Sequence, residues 1–180
     1  MDLRLKAEIV RKHYALASVG GSTLRRQCQP GGKDRAQSFL LNSFPLLELA
    51  EIRTETDFVD FLSVKTEELS KLLVVDHRYN WGAARKVLNI YLKLCAANKD
   101  LHPFFKLSTV EPFLEVPLDS HVVRSIDKDV STNFIADFQI KRLTKERSDV
   151  IQSVAHSIAA NKELYRYELD YLYWNYFKLS

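Results

Sequence analysis

Two side chains in this sequence have the type and the setting for chemistry. Lys86 sits within Trp81-Gly82-Ala83-Ala84-Arg85-Lys86-Val87-Leu88-Asn89, and Asp119 within Val116-Pro117-Leu118-Asp119-Ser120-His121-Val122-Val123-Arg124. A lysine amine that gives up its proton is a nucleophile, and a carboxylate can take a proton or steady developing positive charge. Brought together, they would make a catalytic pair. Each also has a structural reading. Asp119 follows Pro117 and is a natural helix N-cap, a role worth about 1 kcal/mol. Lys86 falls at the edge of an apolar helix face, where it either looks into a cleft or snorkels to water. His121, in the first turn of the next helix, is read as a hydrogen-bonding group in the structure rather than as a general base.

The elements that must position these residues are helices. Val87, Ile90, Tyr91, Leu94 and Cys95 recur at helical spacing and predict one apolar stripe on a helix over residues 81 to 98. Arg85, Asn89 and Lys93 line up away from the centre of that stripe, with Lys86 between the two sets. Downstream, residues 118 to 126 are expected to be helical, with Asp119 at or just before the first turn.

The rest of the chain reads in the same way. Leu5, Ile9, Tyr14 and Leu16 alternate with charged residues and predict a helix over residues 2 to 17. Gly20 and Gly21 end it, and a surface loop is expected through Asp34. Arg25, Arg26, Lys33 and Arg35 make that loop the most basic short segment, but it carries neither a P-loop nor a dinucleotide-binding pattern. Further helices are expected near residues 35 to 42, in a short piece after Pro45, from Thr56 with a threonine cap, and over residues 66 to 73. Ser108 and Glu111 have capping-box spacing. Two long helices, residues 146 to 160 and 162 to 178, finish the chain, the second rich in aromatics. That second helix is read as completing the core, with a dimer contact as the other reading. No strand alternation or internal repeat is visible. The expectation is an all-α, single-domain helical bundle of seven to nine helices over residues 1–180.

Composition bounds the function. Lys and Arg number 26 against 23 acidic residues, giving a net charge of +3 and pI near 8.8. That admits a polyanionic partner without marking a dedicated nucleic-acid-binding domain. Cys28 and Cys95 are far apart, so no disulfide framework is expected. His77, His102 and His156 lack metal-ligand spacing, and neither a metal site nor a cofactor is expected. No secretory leader or membrane span is visible, which predicts a cytoplasmic protein without a membrane partner.

The stretch from Trp81 to Arg124 resembles the end of the helix-hairpin-helix DNA glycosylase core. Gly82 stands at the first glycine of that family's pattern, Ala84 at the second, Lys86 at the lysine and Asn89 at the asparagine that often follows. Asp119-Ser120-His121-Val122 with Arg124 is similar to its second motif. The resemblance implies DNA as partner. Lys86 and Asp119 would be catalytic: the lysine adds to the sugar C1′, the aspartate assists departure of the base, and the target nucleotide is flipped out of the duplex. It further implies that Gly82, Ala83 and Ala84 line a DNA phosphate, with Arg85, His121 and Arg124 as nucleic-acid contacts and damaged or abasic DNA as substrate. The same residues also look like a set of uncharacterised bacterial helical proteins, whose pattern takes in Gly82, Ala84, Lys86, Asn89, Leu92, Lys93, Pro117, Asp119 and Ser120. That likeness carries no activity. The alternative from the chain itself is a non-enzymatic helical interaction module, a homodimer through the aromatic C-terminal helix.

Overall fold

The structure, a computed structural model, describes residues 2–176, with side chains through Trp174. Nine α-helices account for the fold among the described residues: α1 (Leu3–Ser18), α2 (Gly21–Leu24), α3 (Gly32–Asn42), α4 (Glu55–Ser70), α5 (Trp81–Ala96), α6 (Leu101–Phe104), α7 (Ser120–Val130), α8 (Lys145–Asn161) and α9 (Leu169–Tyr176). The protein is an all-α bundle. None of the described helices is long and apolar enough to cross a membrane.

Caps set most helix starts. Asp57 N–H donates to Thr54 Oγ1 at 3.1 Å, so α4 begins two residues earlier than a Thr56 cap would place it. The helix then runs unbroken past Ser63, merging two expected pieces. Asn80 Oδ1 accepts from Ala83 N at 3.0 Å and opens α5. The glycine-rich segment is more ordered than a loop: residues 21–24 form α2, and α3 already starts at Gly32. Ser108 and Glu111 do not share a capping box, because they fall in separate 3-10 turns at Leu107–Thr109 and Glu111–Phe113.

Two features depart from a purely helical reading. A two-residue antiparallel ladder pairs Val74 with Tyr79 and Val75 with Arg78, here β1 (Val74–Val75) and β2 (Arg78–Tyr79). Its turn residues, Asp76 and His77, both take positive φ, as a tight primed hairpin requires. The expected long terminal helix is instead a break with Glu163 at φ 57°, a 3-10 turn at Arg166–Glu168, and the short α9. Residues 177 and 178 of that expected helix lie outside the described residues.

The apolar interior has two parts. One is built on α1, α3, α4 and α5 and holds Leu24, Phe58, Leu62, Leu88 and Tyr91; the other is built on α7, α8 and α9 and holds Val122, Val123, Ile126, Ile151 and Leu169. Helix α5 packs on α1 and α4 and is buried nearly all round. The 3-10 turn Ile140–Arg142 lies over its start. Gly82 permits that approach: a Cβ there would stand 2.1 Å from the Ile140 carbonyl oxygen and 2.8 Å from Leu143 Cβ.

Helix α1 buries a different face from the one its leucines mark. Ala7, Ala15 and Ser18 face the core, while Leu5, Ile9 and Leu16 are each more than half exposed. Small side chains let α1 approach α5 closely, which the larger ones on the opposite face could not do.

Candidate functional site

The segment joining the two parts of the core delivers Asp119. It runs extended from Leu114, and three side chains hold it. Arg166, itself buried, donates to the Phe113 carbonyl at 2.7 Å and the Leu114 carbonyl at 3.2 Å. Gln152 on α8 pairs with both backbone groups of Val116, at 2.8 and 3.2 Å. Glu115 turns inward to Arg85. Pro117 then ends the extended run, and Asp119 caps α7.

Asp119 has two roles at once. Its Oδ1 accepts from His121 N and Val122 N, each at 3.0 Å, satisfying the first turn of α7. Its Oδ2 faces Lys86 Nζ at 3.2 Å. The lysine and aspartate side chains are 12% and 22% exposed, so the pair sits at the wall of a cleft rather than in the core or in bulk water. The two residues of interest do meet.

The cleft is about 500 Å³ and its lining includes Thr23, Lys86, Asp119, His121, Lys141 and Trp174. It continues along α5 into a further space of about 300 Å³, reaching Ile90, Lys93 and Asp170. His121 Nε2–H donates to the Tyr173 carbonyl at 3.1 Å, and its ring lies 4.6 Å from that of Trp174. The imidazole thus joins the start of α7 to α9, in keeping with a structural role. Lys93 and Asp170 form a second ion pair, and the Lys93 ammonium also lies over the Tyr171 ring at 4.8 Å.

The residues read as DNA contacts separate. Arg124 is exposed on α7. Gly82 and Ala84 differ from the expectation: both are buried, and the amides of Ala83 and Ala84 are already bonded within the protein. The carbonyl of Ile140 occupies the space beside Gly82, Ala83 N–H donates to Asn80 Oδ1, and Ala84 N–H donates to the Asn80 carbonyl at 3.1 Å. Arg85 differs most. It is 2% exposed and donates twice to Glu115 at 2.9 Å and once to Thr66 at 3.1 Å, with Trp81 over its guanidinium. Asn89 donates to the same carboxylate at 2.9 Å. The polar line Arg85–Asn89 therefore points into the protein, towards a buried acid that lies far along the sequence.

Burial alone would push the Glu115 carboxyl up. The Arg85 charge and its hydrogen bonds, with Arg166 and Asn89 behind them, outweigh that and hold it below the ordinary glutamate value. Elsewhere Asp127 is also held low. Burial raises it, but Thr132 Oγ1 and the amides of Ile135 and Phe134 donate to its oxygens and prevail.

Asp170, Trp174 and Thr23 carry no recognisable motif, and Lys93 stands only in a pattern that carries no activity. One signal was present: Lys93 is two helical turns beyond Lys86, on the line through Ile90, and so shares its face. The line through Arg85 and Asn89 competed for it.

In comparisons with family models, with curated proteins and with solved structures, nothing matches this chain.

Proposed function

We propose that this is a DNA-associated protein whose cleft engages damaged or abasic DNA, with Lys86 as the amine and Asp119 as its carboxylate partner. The observation that carries this reading is the meeting of Lys86 and Asp119, 3.2 Å apart, at the wall of an open cleft. The ammonium has three N–H groups, and among the described residues Asp119 is its one charged partner, which leaves donors for a ligand. On an abasic site, Lys86 Nζ would add to the C1′ aldehyde of the opened sugar. Water then leaves as the C=N bond forms. Asp119 Oδ2 is within reach of the proton that the amine must first give up.

With Gly82 and Ala84 buried, the contacts to the DNA backbone are assigned to the rim. Lys141, Arg142 and Arg78 cluster there, all exposed, with Asp76 among them in an ion pair with Lys141 at 2.9 Å. Binding that depends on such side chains weakens steeply as salt rises.

Borohydride trapping on abasic-site DNA tests the reading. A covalent adduct that disappears in Lys86→Ala is expected. Asp119→Asn keeps a capping oxygen and is expected to melt near the parent while trapping more slowly. No adduct, together with no DNA binding at low salt, sinks the proposal. The second reading, a homodimeric interaction module, draws on the exposure of Tyr165, Tyr171 and Trp174. It calls for a mass that rises with concentration and falls back to monomer in Trp174→Ala.

A further inference from the structure

The positive charge of this chain is not spread evenly over its surface. Residues 25–35, 76–78 and 140–142 carry Arg25, Arg26, Lys33, Arg35, Arg78, Lys141 and Arg142, all exposed, against Asp34 and Asp76. That is five cations in excess, on a chain whose net charge is +3. The three segments hold the whole positive balance, and the rest of the protein is slightly acidic.

These segments form one face. Gln29 N–H donates to the Val74 carbonyl and Asn80 Nδ2 to the Gln27 carbonyl, each at 2.8 Å, which lays residues 25–35 against the hairpin. Arg35 Nε adds a bond to the Leu72 carbonyl at 3.3 Å. Lys141 ties the turn at Ile140–Arg142 to the hairpin through Asp76, at 2.9 Å. Gly32 packs so closely that a Cβ there would stand 2.7 Å from Cys28 Sγ, which fixes the path into α3. The cations therefore stand on a built surface. Gln27 and Lys141 also line the cleft, so the face begins at its mouth.

The chemistry of the face selects its partner. Five of its seven cations are arginines, whose planar guanidinium can take two phosphate oxygens at once. Apart from Lys141, none of them forms an ion pair among the described residues. No large apolar side chain is exposed within the three segments, whereas a lipid surface is gripped by such side chains. Beyond Tyr79, Glu67 and Glu146 offset Lys145, and the excess ends there.

We infer that this face binds the sugar–phosphate backbone of duplex DNA continuing past the cleft, through charge and guanidinium contacts and without reading its sequence. The inference rests on the nucleic-acid reading of the cleft, and it supplies that reading with an anchor that needs no lesion.

Fluorescence anisotropy of a labelled, undamaged duplex, titrated with the full chain at stepped salt, tests it. Arg25→Glu/Lys33→Glu reverses two exposed cations and leaves the Arg35 bond and the hairpin in place. It is expected to weaken binding roughly tenfold or more at low salt and to lower the log–log salt slope by about 1.8. Lys99→Glu/Lys128→Glu makes the same change in net charge elsewhere, beyond the far end of α5 and in the last turn of α7. That control is expected to bind within about twofold of the parent, and so is the parent on a duplex of unrelated sequence. If Arg25→Glu/Lys33→Glu melts well below the parent, Arg25→Gln/Lys33→Gln decides, with a smaller loss in the same direction. Equal losses in the face and control variants, or parental binding by the face variant, overturns the face. Binding to vesicles of anionic phospholipid as tight as to DNA overturns it too. An adduct on abasic DNA without binding of undamaged duplex overturns the face alone. Binding of undamaged duplex that the face variant loses, with no adduct on abasic DNA, overturns the lesion chemistry and leaves the face standing.

Discussion

At the scale of single residues, the Arg85–Glu115 pair is the most consequential polar contact in the protein. Both side chains are nearly inaccessible, and their bidentate geometry is supported by Asn89 and Thr66. Removing one partner leaves the other charge buried and alone. Glu115→Gln is therefore expected to cost about 3–5 kcal/mol, and Arg85→Met a similar amount. The double variant Arg85→Met/Glu115→Gln should lose less than the two single losses combined, since neither buried charge remains; thermal unfolding of the three variants measures this. The same pair sets a pH dependence. Because the folded protein holds Glu115 below the usual value of 4.5, its contribution is full above that pH and is lost as pH falls through the folded value. The parent should destabilise on acidification below about pH 4.5, and the acid limb should be shallower in Glu115→Gln.

At the scale of elements, Gly82 decides how α5 meets the turn at Ile140–Arg142. Replacing a helical glycine by alanine ordinarily gains about 1 kcal/mol of helix propensity. Here a Cβ would meet a backbone oxygen at 2.1 Å, and backbone has to move to admit it. Gly82→Ala is expected to destabilise by about 1–3 kcal/mol despite the propensity gain, as overpacking does. It should also displace Lys141 from the rim of the cleft, which salt-dependent DNA affinity would report. The loop after α7 has its own anchor in Asp127, whose carboxylate gathers Thr132, Phe134 and Ile135. That carboxylate fixes residues 132–135 between α7 and the 3-10 turn at Phe134–Ala136.

At the scale of the molecule, the two parts of the core are joined through the extended segment before Asp119. Arg166 holds its backbone from the α9 side and reaches Glu55 at the start of α4. Gln152 holds it from α8. The cleft forms along this seam, with Lys86 from one part and Asp119, His121 and Trp174 from the other. Arg166→Ala removes charged donors from two buried carbonyls and is expected to cost about 2 kcal/mol or more. Hydrogen exchange would show the loss concentrated at the seam: amides of α7 and α9 should exchange faster, while those of α4 and α5 change less. Uniform acceleration across all helices would contradict that picture.

Local signals in the sequence were enough for the class of the fold and for much of its helix placement. Apolar periodicity marks α5 and α8, and the proline–aspartate pair marks the start of α7, because helix formation and capping depend on neighbours a few residues away. The burial of Arg85 and Asn89 was not legible, since nothing near them reveals a glutamate that arrives from Glu115. Nor was the outward face of α1: small Ala7 and Ala15 face the core while Leu5, Ile9 and Leu16 remain exposed, a choice that only the neighbouring helices could make. The sequence by itself determined that Lys86 would stand at the edge of a helix face and Asp119 at a helix cap. The tertiary structure alone decided that they meet, because their distance depends on how two separately built parts of the core are clamped together.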